Sequence, residues 1–130
     1  MISYNDTILI QTLTGSFRRQ LAIYVQLRDV VRQLMSKLVL SRGDLSPVTG
    51  SFQRKKELID AIENERNTVS DHIDQWQERK SDIRRTADVE QLEEVLQKVT
   101  DTVQEFLKDE DQLRTYIEGI ISRNQTPASQ

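Results

Sequence analysis

The chain has 130 residues, the size of one domain, and its 36% hydrophobic and 30% charged residues are typical of a folded, soluble protein rather than a disordered one. It contains no cysteine, which excludes disulfide staples, thiolate catalysis and zinc-thiolate sites. The net charge of −3, without a basic stripe interleaved with aromatic residues, argues against nucleic-acid binding.

The amino-terminal stretch "MISYNDTILIQTL" shows no export signal. It has no basic residue before its apolar residues and no small-residue cleavage pattern, so we interpret it as the start of a helix. No apolar run approaches the roughly 20 residues that a membrane-spanning helix requires. We therefore expect a cytoplasmic protein that does not insert into a membrane.

The first predicted helix spans residues 5–42. Alternating steps of three and four residues from Ile10 to Leu38 land on apolar side chains at every position but Gln20. This spacing places the apolar side chains on one face of a helix. Gly43 follows, and glycine is the residue that most readily takes the left-handed conformation at a helix end.

A second helix is predicted over residues 47–84. Ser46 and Pro47 supply an N-cap followed by the residue favoured at the first helical position. The same stepping from Val48 to Ile83 meets three polar residues in eleven. The apolar stripe is weaker than in the first helix, but its period is unbroken, which predicts one continuous helix.

A third helix is predicted over residues 88–123. Thr86 or Asp88 can cap its first turn. The stepping along this segment meets only one polar residue in ten. The polar residues 124–130 are predicted to form a tail outside a single domain that covers residues 1–123.

These three segments predict an all-α fold, an elongated antiparallel three-helix bundle. A 3.5-residue apolar period held over such lengths is typical of coiled-coil-like seams. Short connections force consecutive helices to run antiparallel. At a rise of about 1.5 Å per residue, each helix would form a rod of about 50 Å.

The charges are distributed unevenly along the chain. Residues 1–43 carry six Lys and Arg against two Asp and Glu, whereas residues 86–130 carry four against ten. The first and third helices would attract each other if they lie side by side. Such complementarity sets which helices pair more than it adds stability.

The sequence offers no catalytic, cofactor-binding or metal-binding constellation, and we predict that the protein is not an enzyme. His72 has Asp71 and Asp74 nearby, but helix neighbours one and two positions apart do not face each other. The acidic run 109–111 fans around a helix axis instead of converging on a metal. The stretch 43–51 lacks the lysine and the spacing of a phosphate-binding loop.

Additional apolar residues lie beside the seam positions and widen the apolar stripes of the first and third helices. They are Leu21, Val25, Met35 and Val39 on the first helix, and Val95, Leu107, Tyr116 and Ile121 on the third. Two interpretations remain open. A three-helix core can require stripes of this width, or the stripes can line a groove that receives an amphipathic helix of a partner.

The middle of the chain, "GDLSPVTGSFQRKKELIDAIENER", resembles the FlgN family of flagellar export chaperones. The resemblance is carried by a Gly-Asp-Leu turn after a long first helix, here residues 43–45, a Lys-Glu-Leu element, here residues 56–58, and Glu65 with Arg66 downstream. The resemblance implies a cytoplasmic chaperone that keeps hook-filament junction proteins unassembled and brings them to the type III export gate.

The resemblance also implies that the third helix holds the client protein. Its near-unbroken apolar stripe then indicates which residues would bind the partner. Among them, Tyr116 is a candidate for docking at the export gate. These residues are Val99, Val103, Phe106, Leu107, Leu113, Tyr116, Ile117 and Ile120. The covered client helix would be unable to coil prematurely with other copies of itself.

The alternative is a structural or scaffolding protein without an export client. A spectrin-like three-helix repeat or a homodimeric coiled coil would have the same seams. An amphipathic membrane-surface helix fits less well, because the first helix has no wide aromatic-rich face opposite its arginines.

Overall fold

The structure, a computed structural model, describes residues 4–125, which form four α-helices and one short 3-10 helix and contain no strand. The α-helices are α1 (Tyr4–Leu40), α2 (Thr49–Thr68), α3 (Ser70–Arg79) and α4 (Ala87–Gln125), and the 3-10 helix (Ser46–Val48) precedes α2. The prediction of an all-α protein is confirmed. Residues 126–130, which belong to the predicted polar tail, lie outside the described range.

Helix α1 is the central element of the fold, because it contacts α2, α3 and α4. Its predicted apolar stripe is almost completely buried. The stripe residues that are at most 1% exposed are Ile10, Leu13, Leu27, Val31, Leu34 and Leu38. A helix surrounded by other helices along its length needs such a continuous stripe, and the three-four stepping identified it correctly.

Helices α1 and α4 run in the same direction. Arg28 donates to Glu105 at 2.8 Å, and one helical turn later Arg32 donates to Asp109 at 2.6 Å. Both pairs join residues that are 77 positions apart, so the register between the two helices is constant. The predicted attraction between the basic first segment and the acidic third segment occurs at these pairs.

Helices α1 and α2 run in opposite directions. Lys37, near the end of α1, donates to Ser51 at the start of α2, at 3.4 Å. Arg19, in the first half of α1, donates to Glu65 near the end of α2, at 2.9 Å. The intervening turn is short, so α2 must fold back along α1.

The end of α1 is a Schellman-type cap. The Gly43 N–H donates to the Leu38 carbonyl at 2.9 Å, and the Arg42 N–H donates to the Val39 carbonyl at 3.2 Å. Arg42 has φ 57° and Gly43 has φ 88°, so both residues lie in the left-handed region. The first helix therefore ends at Leu40 rather than at the predicted residue 42, since this cap unwinds the last two positions.

The sequence predicted Ser46 as the capping residue, but in the turn that follows α1 the side chain that bonds the backbone is that of Asp44. The Asp44 carboxylate accepts a hydrogen bond from the Ser46 N–H at 3.0 Å. Pro47 lies in the 3-10 helix, which has no side-chain cap, and α2 begins at Thr49. Aspartate commonly makes this local bond to the backbone two residues ahead, which satisfies an N–H that the turn would leave unpaired.

The predicted second helix is interrupted at Val69, which has φ −111° and ψ 10°. The Thr68 hydroxyl donates to the Asn64 carbonyl at 2.8 Å, and the Ser70 hydroxyl donates to the Asn67 carbonyl at 3.2 Å. Residues 67–70 are four consecutive weak helix formers. The Asn, Thr and Ser side chains compete for backbone hydrogen bonds, and the branched Val side chain loses rotamer freedom in a helix. The apolar stepping could not reveal this break, since Val69 itself is buried in phase.

The predicted helix over residues 47–84 also ends early, at Arg79. The N–H groups of Asp82 and Ile83 both donate to the Arg79 carbonyl, at 2.9 and 3.1 Å, so the chain leaves the helix in a turn. Thr86 then caps α4 by accepting from the backbone N–H three residues later at 3.4 Å, as predicted for one of the two candidates.

Two apolar cores lie along α1. The Leu34 core consists of Tyr24, Leu27, Val31, Leu34, Leu38, Val48, Leu58, Ile62, Phe106 and Leu113. The Trp76 core consists of Leu9, Ile10, Leu13, Val69, Trp76, Val89, Leu92 and Val95. Between them α1 buries a polar pair, in which Gln20 donates to the Ser16 hydroxyl at 3.1 Å. This bond satisfies part of the polar surface that burial removes from water.

Candidate partner-binding surface

Three residues of the predicted partner-binding stripe are buried inside the fold. Phe106, Leu113 and Ile120 are only 9%, 2% and 7% exposed. Phe106 and Leu113 belong to the Leu34 core, and Ile120 packs against Gly43 at the end of α1. In the closed chain these side chains contribute to stability and present little surface to a partner.

The other predicted residues are more accessible. Val99, Val103, Tyr116 and Ile117 are half-buried against the Leu34 core. Leu107 is 56% exposed and lies on the outer side of α4. The structure thus divides the predicted stripe into a buried row, a half-buried row and one exposed leucine.

Val99, Val103 and Ile117 of this half-buried row lie on the side of α4 that faces a seam wider than the others. Tyr116 instead faces α1, where its hydroxyl donates to the Leu38 carbonyl at 3.4 Å. No Cα atom of α2 or α3 lies within 8 Å of a Cα atom of α4, whereas α1 approaches all three helices that closely. We call the space between α4 and the α2–α3 pair the wide seam. Lys55 of α2 crosses it and donates to Glu110 of α4 at 2.6 Å. Val103 and Ile117 stand seven residues on either side of Glu110, so they share its helix face.

At the α3 end the wide seam opens into a cleft of about 460 Å³. Trp76 and Ile83 line one side, and Val89 and Leu96 of α4 line the other. Trp76 is 8% exposed, in agreement with its place in the apolar stepping from Val48 to Ile83. Because the walls are largely apolar and the helices are not in backbone contact, the cleft can accept apolar side chains from outside.

A bidentate ion pair flanks this cleft. Arg85 donates through its two terminal nitrogens to the carboxylate oxygens of Glu93, at 2.7 and 3.1 Å. The hydrogen bonds to Glu93 raise the pKa of Arg85 above its ordinary value. On the opposite seam, the hydrogen bond to Glu105 likewise raises the pKa of Arg28. Both guanidinium groups therefore stay charged throughout the physiological pH range.

A second cleft, of about 410 Å³, lies at the end of the fold where α1 turns into α2. Its lining residues are Val39, Arg42, Tyr116, Ile120 and Arg123. Large apolar side chains are exposed in the same part of the chain: Val39 by 51%, Leu40 by 84%, Leu45 by 45% and Ile121 by 47%. The sequence placed Val39 and Ile121 in the widened apolar stripes. Leu40 and Leu45 fall outside the helical period, so the sequence pattern did not identify them as surface candidates.

The acidic run 109–111 does not form a metal site. Asp109 pairs with Arg32 of α1, Glu110 pairs with Lys55 of α2, and Asp111 pairs with Arg114 of α4 itself. The three carboxylates point in different directions, as expected for consecutive helical residues. No group of three or more His, Asp or Glu side chains within residues 4–125 is placed to hold a metal ion.

His72 is half-buried, and its Nδ1 atom has no hydrogen-bond partner among the described residues. No helix within residues 4–125 is long and apolar enough to cross a bilayer. Comparison of the chain with protein-family models, curated proteins and solved structures finds no match.

Proposed function

We propose that this chain is a helical chaperone that covers an amphipathic helix of a client protein. By its resemblance to the FlgN family, the client would be a hook-filament junction protein, kept unassembled in the cytoplasm and delivered to the type III export gate. The scaffold would be an elongated antiparallel three-rod bundle, in which α1 and α4 are two rods and α2 with α3 forms the third. No catalysis is needed for this function.

The observation that carries the proposal is the wide seam. Helix α4 is in close backbone contact with α1 alone. Its second apolar row, with Val103 and Ile117, is left half-buried, and Lys55–Glu110 is the ion pair that bridges α2 and α4 in the described range. A client helix could complete the burial of this row after a small outward movement of α2 and α3.

The energetics favour a binding event of this kind. Full burial of a Val, Leu or Ile side chain contributes about 1.5–3 kcal/mol, so completing the burial of a half-buried one contributes about 1 kcal/mol. Several such contacts, with the matching burial on the client helix, are needed to offset the loss of freedom on association. The helix-in-groove mode supplies them at positions spaced by three and four residues.

A structural or scaffolding role is the second candidate, and a specific observation favours it. Phe106, Leu113 and Ile120 are buried in the closed chain, as the core of a self-sufficient bundle would require. In that case the wide seam would be a looser part of the core and would not open. The two candidates therefore differ in whether α2 and α3 can separate from α4.

Covalent locking of the two seams tests this difference, and the absence of cysteine from the chain makes the labelling specific. The double variant Lys55→Cys/Glu110→Cys, joined by a short bis-maleimide, closes the wide seam. The double variant Arg28→Cys/Glu105→Cys, joined in the same way, closes the α1–α4 seam and serves as the matched control. Each variant is also prepared with its cysteines blocked by N-ethylmaleimide.

Capture is measured by co-purification with candidate hook-filament junction proteins. We expect the locked wide seam to abolish capture, while the blocked form and the locked α1–α4 control retain it. Circular dichroism checks that all forms are equally helical. Capture that is unchanged by the wide-seam lock would contradict the proposal, and lack of capture by every form would favour the scaffolding role.

A further inference from the structure

The cleft at the α1–α2 turn combines apolar walls with two unmatched positive charges. Val39, Tyr116 and Ile120 supply the walls, and Arg42 and Arg123 supply the guanidinium groups. Neither arginine forms an ion pair with a carboxylate within residues 4–125, and both are exposed. Two like charges that share a cleft repel each other unless an anion lies between them.

Three of the four arginines of α1, Arg19, Arg28 and Arg32, have acidic partners within the described residues. Arg28 and Arg32 pair with Glu105 and Asp109 of α4 in constant register. At the turn the available acid, Asp44, instead accepts the hydrogen bond of a backbone N–H in the turn. Residues 4–125 therefore supply no carboxylate to the lining of this cleft, and its two arginines are complementary to an acidic ligand.

The backbone of Arg42 gives independent support. Arg42 occupies the first left-handed position of the cap, with φ 57°, where glycine is the residue that stability favours. A side chain in this conformation is unfavourable, and backbone strain of this kind collects at functional sites. With this backbone conformation Arg42 lines the cleft, and its guanidinium forms no ion pair or hydrogen bond within residues 4–125.

We infer that this cleft docks an acidic amphipathic helix of a partner protein. The apolar stripe of the partner helix lies on Val39, which is 51% exposed, and on the half-buried Tyr116. Its flanking Asp or Glu side chains pair with Arg42 and Arg123. The inference rests on the proposed function, because it names the charge and the docking end of the same client.

The test uses three fluorescent 18-residue helical peptides with the same leucine stripe, flanked by glutamate, by glutamine or by lysine. Their affinities for the full chain are measured by fluorescence anisotropy at low and high salt. We expect the glutamate peptide to bind roughly tenfold more tightly than the glutamine peptide at low salt, with the advantage shrinking as salt screens the charges. The lysine peptide should bind most weakly.

The variants Arg42→Gly and Arg123→Gln locate the site. Each should weaken binding of the glutamate peptide about threefold to fivefold and leave the glutamine peptide unaffected. Arg42→Gly should at the same time raise the melting temperature, because glycine relieves the left-handed strain. Loss of binding then cannot result from unfolding. Arg84→Gln, which removes an exposed arginine remote from this cleft, is the matched control and should change nothing.

The outcomes separate the two proposals. Equal binding of glutamate and glutamine peptides would overturn this inference while supporting the proposed function, and failure of all three peptides to bind would overturn both. Binding to phosphatidylserine vesicles without peptide selectivity would overturn the inference in favour of a membrane surface. A dimer that Arg42→Gly dissociates would overturn it in favour of a second copy of the chain.

Discussion

The α1–α4 seam and the wide seam differ although both involve the same helix α4. In the first, Arg28 and Arg32 hold the register through matched acids, and backbones approach within 8 Å. In the second, Lys55–Glu110 bridges helices that stay further apart. An apolar row of helical period therefore does not determine how closely a neighbouring helix packs on it. The closeness depends on which neighbour is held in register.

The largest expected difference between the seams concerns their apolar side chains. Leu34→Ala removes a fully buried residue from the centre of α1 and should lower the free energy of unfolding by about 3 kcal/mol. Val103→Ala, on the half-buried row of the wide seam, should lower it by about 1 kcal/mol. Urea unfolding monitored by circular dichroism measures both. Equal losses would show that the wide seam is as tightly packed as the core.

The next effect concerns the cap that ends the α1–α4 seam. Gly43→Ala adds a Cβ atom 3.1 Å from Ile120 Cδ1 at a residue with φ 88°, and should destabilise the fold by about 2 kcal/mol. Gly50→Ala is the control, because nothing lies within 4 Å of its added Cβ and it lies inside α2. There alanine should stabilise by about 0.5–1 kcal/mol. A neutral Gly43→Ala in thermal unfolding would contradict the close packing at this end.

Substitutions in the ion pairs should have smaller effects on stability. Here the wide seam, rather than the α1–α4 seam, should lose more. Glu110→Gln leaves Lys55, whose side chain is 18% exposed, without its partner and should destabilise by about 1 kcal/mol. Glu105→Gln removes a carboxylate that is 50% exposed and should change stability by less than about 0.5 kcal/mol. Unfolding at two salt concentrations checks the order, since the exposed pair should be the more sensitive to salt. A larger loss for Glu105→Gln would reverse the ranking.

The smallest expected effect concerns the interruption at Val69. The double variant Thr68→Ala/Ser70→Ala removes the two hydroxyls that bond backbone carbonyls at the break. We expect backbone chemical shifts at residues 68–70 to become helical, while stability changes by about 0.5 kcal/mol or less. Unchanged shifts would show that packing of Val69 in the Trp76 core, rather than local side-chain bonding, sets the break.

Much of the fold followed from the sequence because the helical period is a local property. The stepping from Ile10 to Leu38 identified residues that are buried almost without exception, and Thr86 was among the predicted caps of α4. The apolar pattern did not reveal features that depend on several weak conformational preferences. The break at Val69 results from four moderate preferences acting together, and no single proline or glycine marked it.

The candidate surface was less predictable for a different reason. The spacing of side chains along each helix was enough to identify its apolar face, because that spacing is a property of one helix alone. The packing of the helices was needed to show that Phe106 and Leu113 face α1, that Val103 faces the wide seam and that Leu107 faces outward. Burial is a property of the neighbour as well as of the residue, and the neighbour is set by the turns and charge pairs that hold the helices in register.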